Sequence, residues 1–137
     1  MKSLNILFFF LLSTVLVFFL ASLEPLTFNY KPGLNYNFPE EKKLKEENLT
    51  FQDLEIFFKD VAQKKGALYA FDLLKVSPIP PNIDVHLLAH GIGNILYKQK
   101  GIQGIKYCTE DFRNACSHSI VVNLYVEKGS DATKEIA

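Results

Sequence analysis

Between Leu4 and Leu23 the chain reads LNILFFFLLSTVLVFFLASL, 20 positions without a single charge. Only Asn5, Ser13, Thr14 and Ser22 interrupt the apolar run, and five of the 12 phenylalanines in the sequence fall in its first 20 residues. Twenty helical residues at ~1.5 Å each span about 30 Å, the thickness of a bilayer's hydrocarbon core. A core helix of a small domain is rarely so uniformly apolar, so residues 1–23 are read as a transmembrane signal-anchor. A cleavable leader has a shorter apolar run and small residues before the cut. Here a cut after Ser22 places Leu20 at position −3, and a cut after Ala21 places Phe19 there. An uncleaved anchor is therefore expected. Lys2 precedes it and Glu24 follows, which puts the N-terminus in the cytoplasm and the remainder outside.

The next segment, residues 24–47, reads as an extended linker. Pro25, Pro32 and Pro39 exclude a continuous helix. TFNY and NYNF alternate polar and aromatic residues around Pro32-Gly33, a pattern suited to a short hairpin or to aromatic rings at a membrane interface. EEKKLKEE mixes charges at helical spacing, as a solvated face or the lead-in to a helix does.

Residues 48–129 carry helical signals throughout. Asn48-Leu49-Thr50 is a glycosylation sequon in form. Thr50 with Asp53 also forms a Thr-x-x-Asp capping box, and Leu54, Phe57, Phe58 and Val61 follow as one apolar stripe. Lys64-Lys65-Gly66 ends that helix, and ALYAFDLLKV continues it past a glycine kink or forms a second one. SPIPPN is a stop. A third helix is expected from Asn82 or Asp84 to about Gln99, and a last one from about Asn114–Ser117 to Lys128-Gly129. Residues 130–137 read as a tail or the start of a further element. The fold class expected is all-α: an anchor, a Pro/aromatic linker and a small helical exoplasmic domain. A core of that size often needs a disulfide, a metal or a partner.

The chemistry-bearing residues crowd into 84–119, which hold all three histidines and both cysteines. His86 and His90 are four apart and share a helix face, the spacing at which two imidazoles reach one ion. Gly93 and Tyr97 continue that face, and Asp84 stands near its start; these three are candidate supporting residues. Packed, hydrogen-bonded core histidines are the competing reading. The zinc-protease motif is absent, since its glutamate position holds Leu87 and the inverted form's holds Ala89. Outside the cytoplasm, Cys108 and Cys116 pair by default as a disulfide. The rival is a thiolate metal site with His118. Three imidazoles, His86, His90 and His118, with an open position form a known type of zinc site, and two of them suit haem iron less well supported by any motif here. Arg113, the sole arginine, is expected to bind an anion or pair with Glu110 or Asp111. Ser117 and Ser119 lack a nucleophile elbow, and no phosphate-binding glycine loop is present. With 15 basic and 15 acidic residues the net charge is zero, which argues against a nucleic-acid partner.

HLLAHGIGNILY, GIKYC and DFRNACSHSIV together resemble a group of uncharacterised bacterial membrane-anchored or secreted proteins with the pattern His-x3-His-x2-Gly-x3-Tyr, a cysteine, then Cys-x-His-Gly. The resemblance falls on His86, His90, Gly93, Tyr97, Cys108, Cys116 and His118; Ser119 stands where that pattern has glycine. It implies a shared site in a bacterial cell envelope and names no reaction. The expected function is an anchored, extracytoplasmic domain binding zinc or another transition metal through its histidines. A disulfide-stabilised interaction module with no metal and a metal-dependent hydrolase are the alternatives. The expected partners are the lipid bilayer and an unspecified protein.

Overall fold

The computed structural model describes residues 37–45 and 49–136; the anchor and most of the linker lie outside them. The described chain is all-helical, with no strand among its residues. None of its helices is long and apolar enough to cross a membrane.

Helix α1 spans Phe51–Lys65 and begins at the capping box. Asp53 N donates to Thr50 Oγ1 at 3.2 Å, and Thr50 N donates to Asp53 Oδ2 at 2.9 Å. Two of the amide groups that a helix start leaves unpaired are thereby satisfied. Its buried stripe is Leu54, Phe58, Val61 and Ala62, with Phe57 at the margin. Gly66 breaks the helix outright, at φ 99° and ψ 146°. Helix α2, Ala67–Val76, starts in the next residue and buries Ala67, Ala70, Phe71, Leu73 and Leu74. The break is stitched by a residue far along the sequence. Gln99 Nε2 donates to Ala62 O at 2.9 Å, and Ala67 N donates to Gln99 Oε1 at 3.1 Å. One amide side chain thus satisfies both ends of the interruption.

Helix α3, Val85–Lys100, is capped by Asp84, whose Oδ1 accepts from His86 N at 2.9 Å; Asn82 plays no part in the cap. Leu88, Ala89, Gly91, Ile92, Gly93, Ile95 and Leu96 are all buried, more than one face of a helix. Such all-round burial is expected of a central element, and α3 packs on α1, α2 and the helix that follows it. A 3-10 stretch, Gly101–Tyr107, leads to helix α4, Asp111–Lys128, and Gly129 ends α4 at φ 56°. A short helix α5, Ala132–Ile136, follows within the segment read as a tail, with Ala132 buried. Upstream, a 3-10 stretch at Pro39–Lys45 lies against the domain. It contributes Leu44 to the core, and Phe38, the residue before it, is buried as well and meets the Tyr69 ring edge-on at 5.0 Å.

The first turn of α4 is irregular. Phe112, Arg113 and Asn114 have φ of 54°, 54° and 62°, the left-handed region, and regular helix resumes at Ala115. Left-handed backbone costs a non-glycine residue about 1 kcal/mol, so three in a row cost roughly 3 kcal/mol. The disulfide between Cys108 and Cys116 closes a loop around them. Closure of so short a loop stabilises by about 2–3 kcal/mol through the unfolded chain, enough to offset most of that strain.

Candidate metal centre

The α3–α4 seam brings the histidines together. Helix periodicity places His86 and His90 on one side of α3, and their Nε2 atoms lie 3.0 Å apart. His118 faces them from α4, with ring centroids 6.3 Å from His86 and 6.1 Å from His90. One nitrogen from each of the three rings falls within 4.8 Å of the others. A tetrahedral zinc with Zn–N near 2.1 Å holds its nitrogens about 3.4 Å apart. The His86–His90 pair is already that close, and a shared ion would need His118 to come nearer than the 4.8 Å limit within which the three nitrogens lie.

The far nitrogens of the pair are held by α4. His86 Nδ1 lies 2.6 Å from the Phe112 carbonyl, and His90 Nδ1 lies 2.8 Å from Ser119 Oγ. A carbonyl only accepts, so His86 carries a proton on Nδ1, and in the neutral ring Nε2 is left with a lone pair. Ser119 Oγ also lies 2.9 Å from Ala115 O. If the hydroxyl donates there, it accepts from His90 Nδ1–H. Both Nε2 lone pairs then face each other at 3.0 Å, an arrangement that calls for a cation between them. If the hydroxyl instead donates to His90 Nδ1, then His90 Nε2–H donates to His86 and the network closes without an ion. Outer partners that fix the tautomer in this way are typical of metal-ligating histidines. Burial, and then the neighbouring His86 and His118, push the His90 pKa below the usual imidazole value of 6.5, against an opposing pull from Asp84. The neutral form is the one that ligates. His118 is exposed, and among the described residues no hydrogen bond holds its ring.

The supporting residues divide. Gly93 is where the helices touch: a Cβ built on it would lie 2.7 Å from Ser119 Cβ and 2.8 Å from Ser119 Oγ. Its missing side chain is what lets Ser119 reach His90. Asp84 does not orient an imidazole; its Oδ1 caps α3 and meets Arg113 Nη2 at 3.3 Å. Arg113 is thereby engaged with Asp84, not with Glu110 or Asp111, because the left-handed turn carries it back over the α3 N-terminus. Asp111 pairs with Lys75 at 2.8 Å instead. Tyr97 leaves the histidines as well: its hydroxyl donates to Glu127 at 2.5 Å, which pushes its pKa up to about 12. Between the two levels, Asn123 Nδ2 donates to Asn94 Oδ1 at 2.7 Å. The cysteines are joined to each other and are not thiolate ligands. Ser119 and the Phe112 carbonyl are the two site groups that sequence reasoning passed over. Ser119 was weighed only as a nucleophile and as a departure from glycine, and a backbone carbonyl leaves no mark in a sequence. Among the described residues no carboxylate joins the three-histidine group.

Comparison with protein-family models, with curated proteins and with solved structures finds no match for this chain.

Proposed function

We propose that the chain is a membrane-anchored, extracytoplasmic helical domain that binds a transition-metal ion through His86, His90 and His118. One observation carries the reading. Both helix imidazoles are turned by an α4 partner on Nδ1, so that their Nε2 atoms converge at 3.0 Å beside a third histidine. Zinc comes first among the ions, because it accepts three imidazoles and leaves a fourth position open. Haem suits the pair poorly, since His86 and His90 approach from the same side and not from opposite faces of a porphyrin. A hydrolase would need a general base beside the ion, and among the described residues no carboxylate stands with the ligands.

The second reading, a metal-free interaction module, rests on the closed hydrogen-bond network from Phe112 O through His86 and His90 to Ser119. Elemental analysis of the full chain, purified in detergent and dialysed against trace zinc, separates the two. Near-stoichiometric zinc is expected in the natural chain and none in the His86→Ala/His90→Ala variant. Equal content in both would leave the network reading standing. Retention of the chain in membranes after alkaline extraction tests the anchor.

A further inference from the structure

The left-handed turn has a role in the site that the disulfide alone does not explain. Phe112 is the first of its three left-handed residues, and its carbonyl is the group that holds His86 Nδ1 at 2.6 Å. In an ordinary right-handed first turn of α4 that carbonyl would run along the helix axis towards the Cys116 amide. The Phe112 carbonyl can serve His86 or the helix, and the left-handed conformation decides for His86.

Beyond its local hydrogen bonds and the His86 contact, four constraints hold the turn. Lys75 pairs with Asp111 at 2.8 Å, and Arg113 with Asp84 at 3.3 Å. The Phe112 ring stacks on Phe71 with centroids 6.4 Å apart. Cys108–Cys116 closes the base of the loop. The Arg113–Asp84 pair is largely exposed, at 73% and 47%, and exposed pairs constrain little. Strained backbone persists only where its surroundings over-determine it. The covalent bond is the strongest of the four constraints, and Cys116 also begins the stretch that bears His118 and Ser119.

We infer that the Cys108–Cys116 loop is a positioning element for His86, so that the ion affinity of the histidine site follows the thiol–disulfide state of that loop. The ion-affinity half rests on the proposed metal function; the positioning half does not. The step is an exchange with a small dithiol. A thiolate of the dithiol attacks one loop sulfur and expels the other as a thiolate, and its second thiol then attacks the mixed disulfide at the dithiol's own sulfur and expels the first. Two electrons and two protons pass to the loop, giving two cysteine thiols and an oxidised dithiol. Residues 112–114 then relax towards right-handed helix, the Phe112 carbonyl turns away, and His86 loses the partner that fixed its tautomer.

The test uses the full chain in detergent, the Cys108→Ser/Cys116→Ser variant, and that variant with Arg113→Gly/Asn114→Gly added. Glycine adopts left-handed backbone without penalty, so the added glycines favour the turn without the bond. Two readouts are taken: cobalt(II) affinity from its visible absorption, and the His86 ring tautomer from nitrogen-15 NMR, with helicity checked by circular dichroism. Loss of an orienting partner typically weakens metal affinity by about 10–100-fold. The serine variant is expected to show such a loss with helicity kept, and a shift of His86 from Nδ1–H to Nε2–H. The glycines are expected to restore part of both. An unchanged tautomer in the serine variant overturns the inference, whatever the cobalt result. A shifted tautomer in the serine variant, with no cobalt uptake by the natural chain, supports the positioning role and removes the metal function. If the serine variant fails to fold, the natural and Arg113→Gly/Asn114→Gly chains are titrated with dithiothreitol and only the tautomer is read. Earlier loss of Nδ1–H in the natural chain supports the inference, and identical loss in both overturns it.

Discussion

At the scale of single residues, two buried glycines of α3 have opposite tolerances. A Cβ at Gly93 meets Ser119 Cβ at 2.7 Å, on a neighbouring helix that cannot yield without shifting. A Cβ at Gly91 meets only Lys59 Cε at 3.2 Å, the far end of a flexible side chain. Gly93→Ala is therefore expected to destabilise the domain by about 1–3 kcal/mol in urea denaturation, as overpacking does. Gly91→Ala is expected to be neutral or to stabilise by up to about 1 kcal/mol through helix propensity. The Gly93→Ala/Ser119→Gly double variant should recover most of the loss, a coupling that a double-mutant cycle reads directly. Equal costs for the two alanines would remove the close α3–α4 approach from the account of the site. What could be read from residue spacing here was the shared face of His86, His90 and Gly93. The approach of His118 and the use of Ser119 depended on how α4 docks, which no spacing along one helix contains.

At the scale of elements, the capping box of α1, the stop at SPIPPN and the cap at Asp84 were legible because each is local chemistry. Thr50 with Asp53, and Asp84 with His86 N, satisfy orphan amides within a few residues. The left-handed turn was not legible. Asn114 is a residue type that tolerates positive φ, but nothing in Phe112-Arg113 signals it; loop closure and packing impose it there. The partner of the Gly66 break, Gln99, lies 32 residues from the amide it accepts and was equally hidden. Another distant contact fastens Pro39–Lys45 to the domain. Tyr69 OH donates to Glu40 Oε2 at 2.7 Å, and Lys65 pairs with the same carboxylate. Burial alone would raise the Glu40 pKa, but the Lys65 and Tyr69 hydrogen bonds outweigh it and bring it below 4.5. A lowered carboxylate contributes stability that is present above pH 4.5 and lost as the pH falls through the folded-state value. Hydrogen exchange in Pro39–Lys45 and early α2 should accelerate over that acid window before α3 is affected, and Glu40→Gln should remove the pH step.

At the scale of the whole molecule, the all-helical character of the described residues was legible from the apolar periodicity of residues 48–129. The disulfide followed from two cysteines in a compartment inferred from the N-terminal run. A ligand that binds the folded chain alone stabilises it by mass action, about 2.7 kcal/mol at 100 times its dissociation constant. Zinc at that excess should raise the melting temperature of the natural chain measurably, and leave that of His86→Ala/His90→Ala unmoved. A shift of equal size in both would place zinc binding elsewhere. The burial of Phe38 in the core, 7% exposed, bears on more than packing. Leu23 and Phe38 are 15 residues apart in the chain. Whatever path that stretch takes, covalent geometry holds its ends within about 50 Å of each other. If the proposed anchor sets Leu23 at a bilayer surface, the domain would be leashed within about 50 Å of that surface. A site so tethered would sample the fluid film against that membrane and not the wider compartment, and would meet first whatever crosses or lies on that surface.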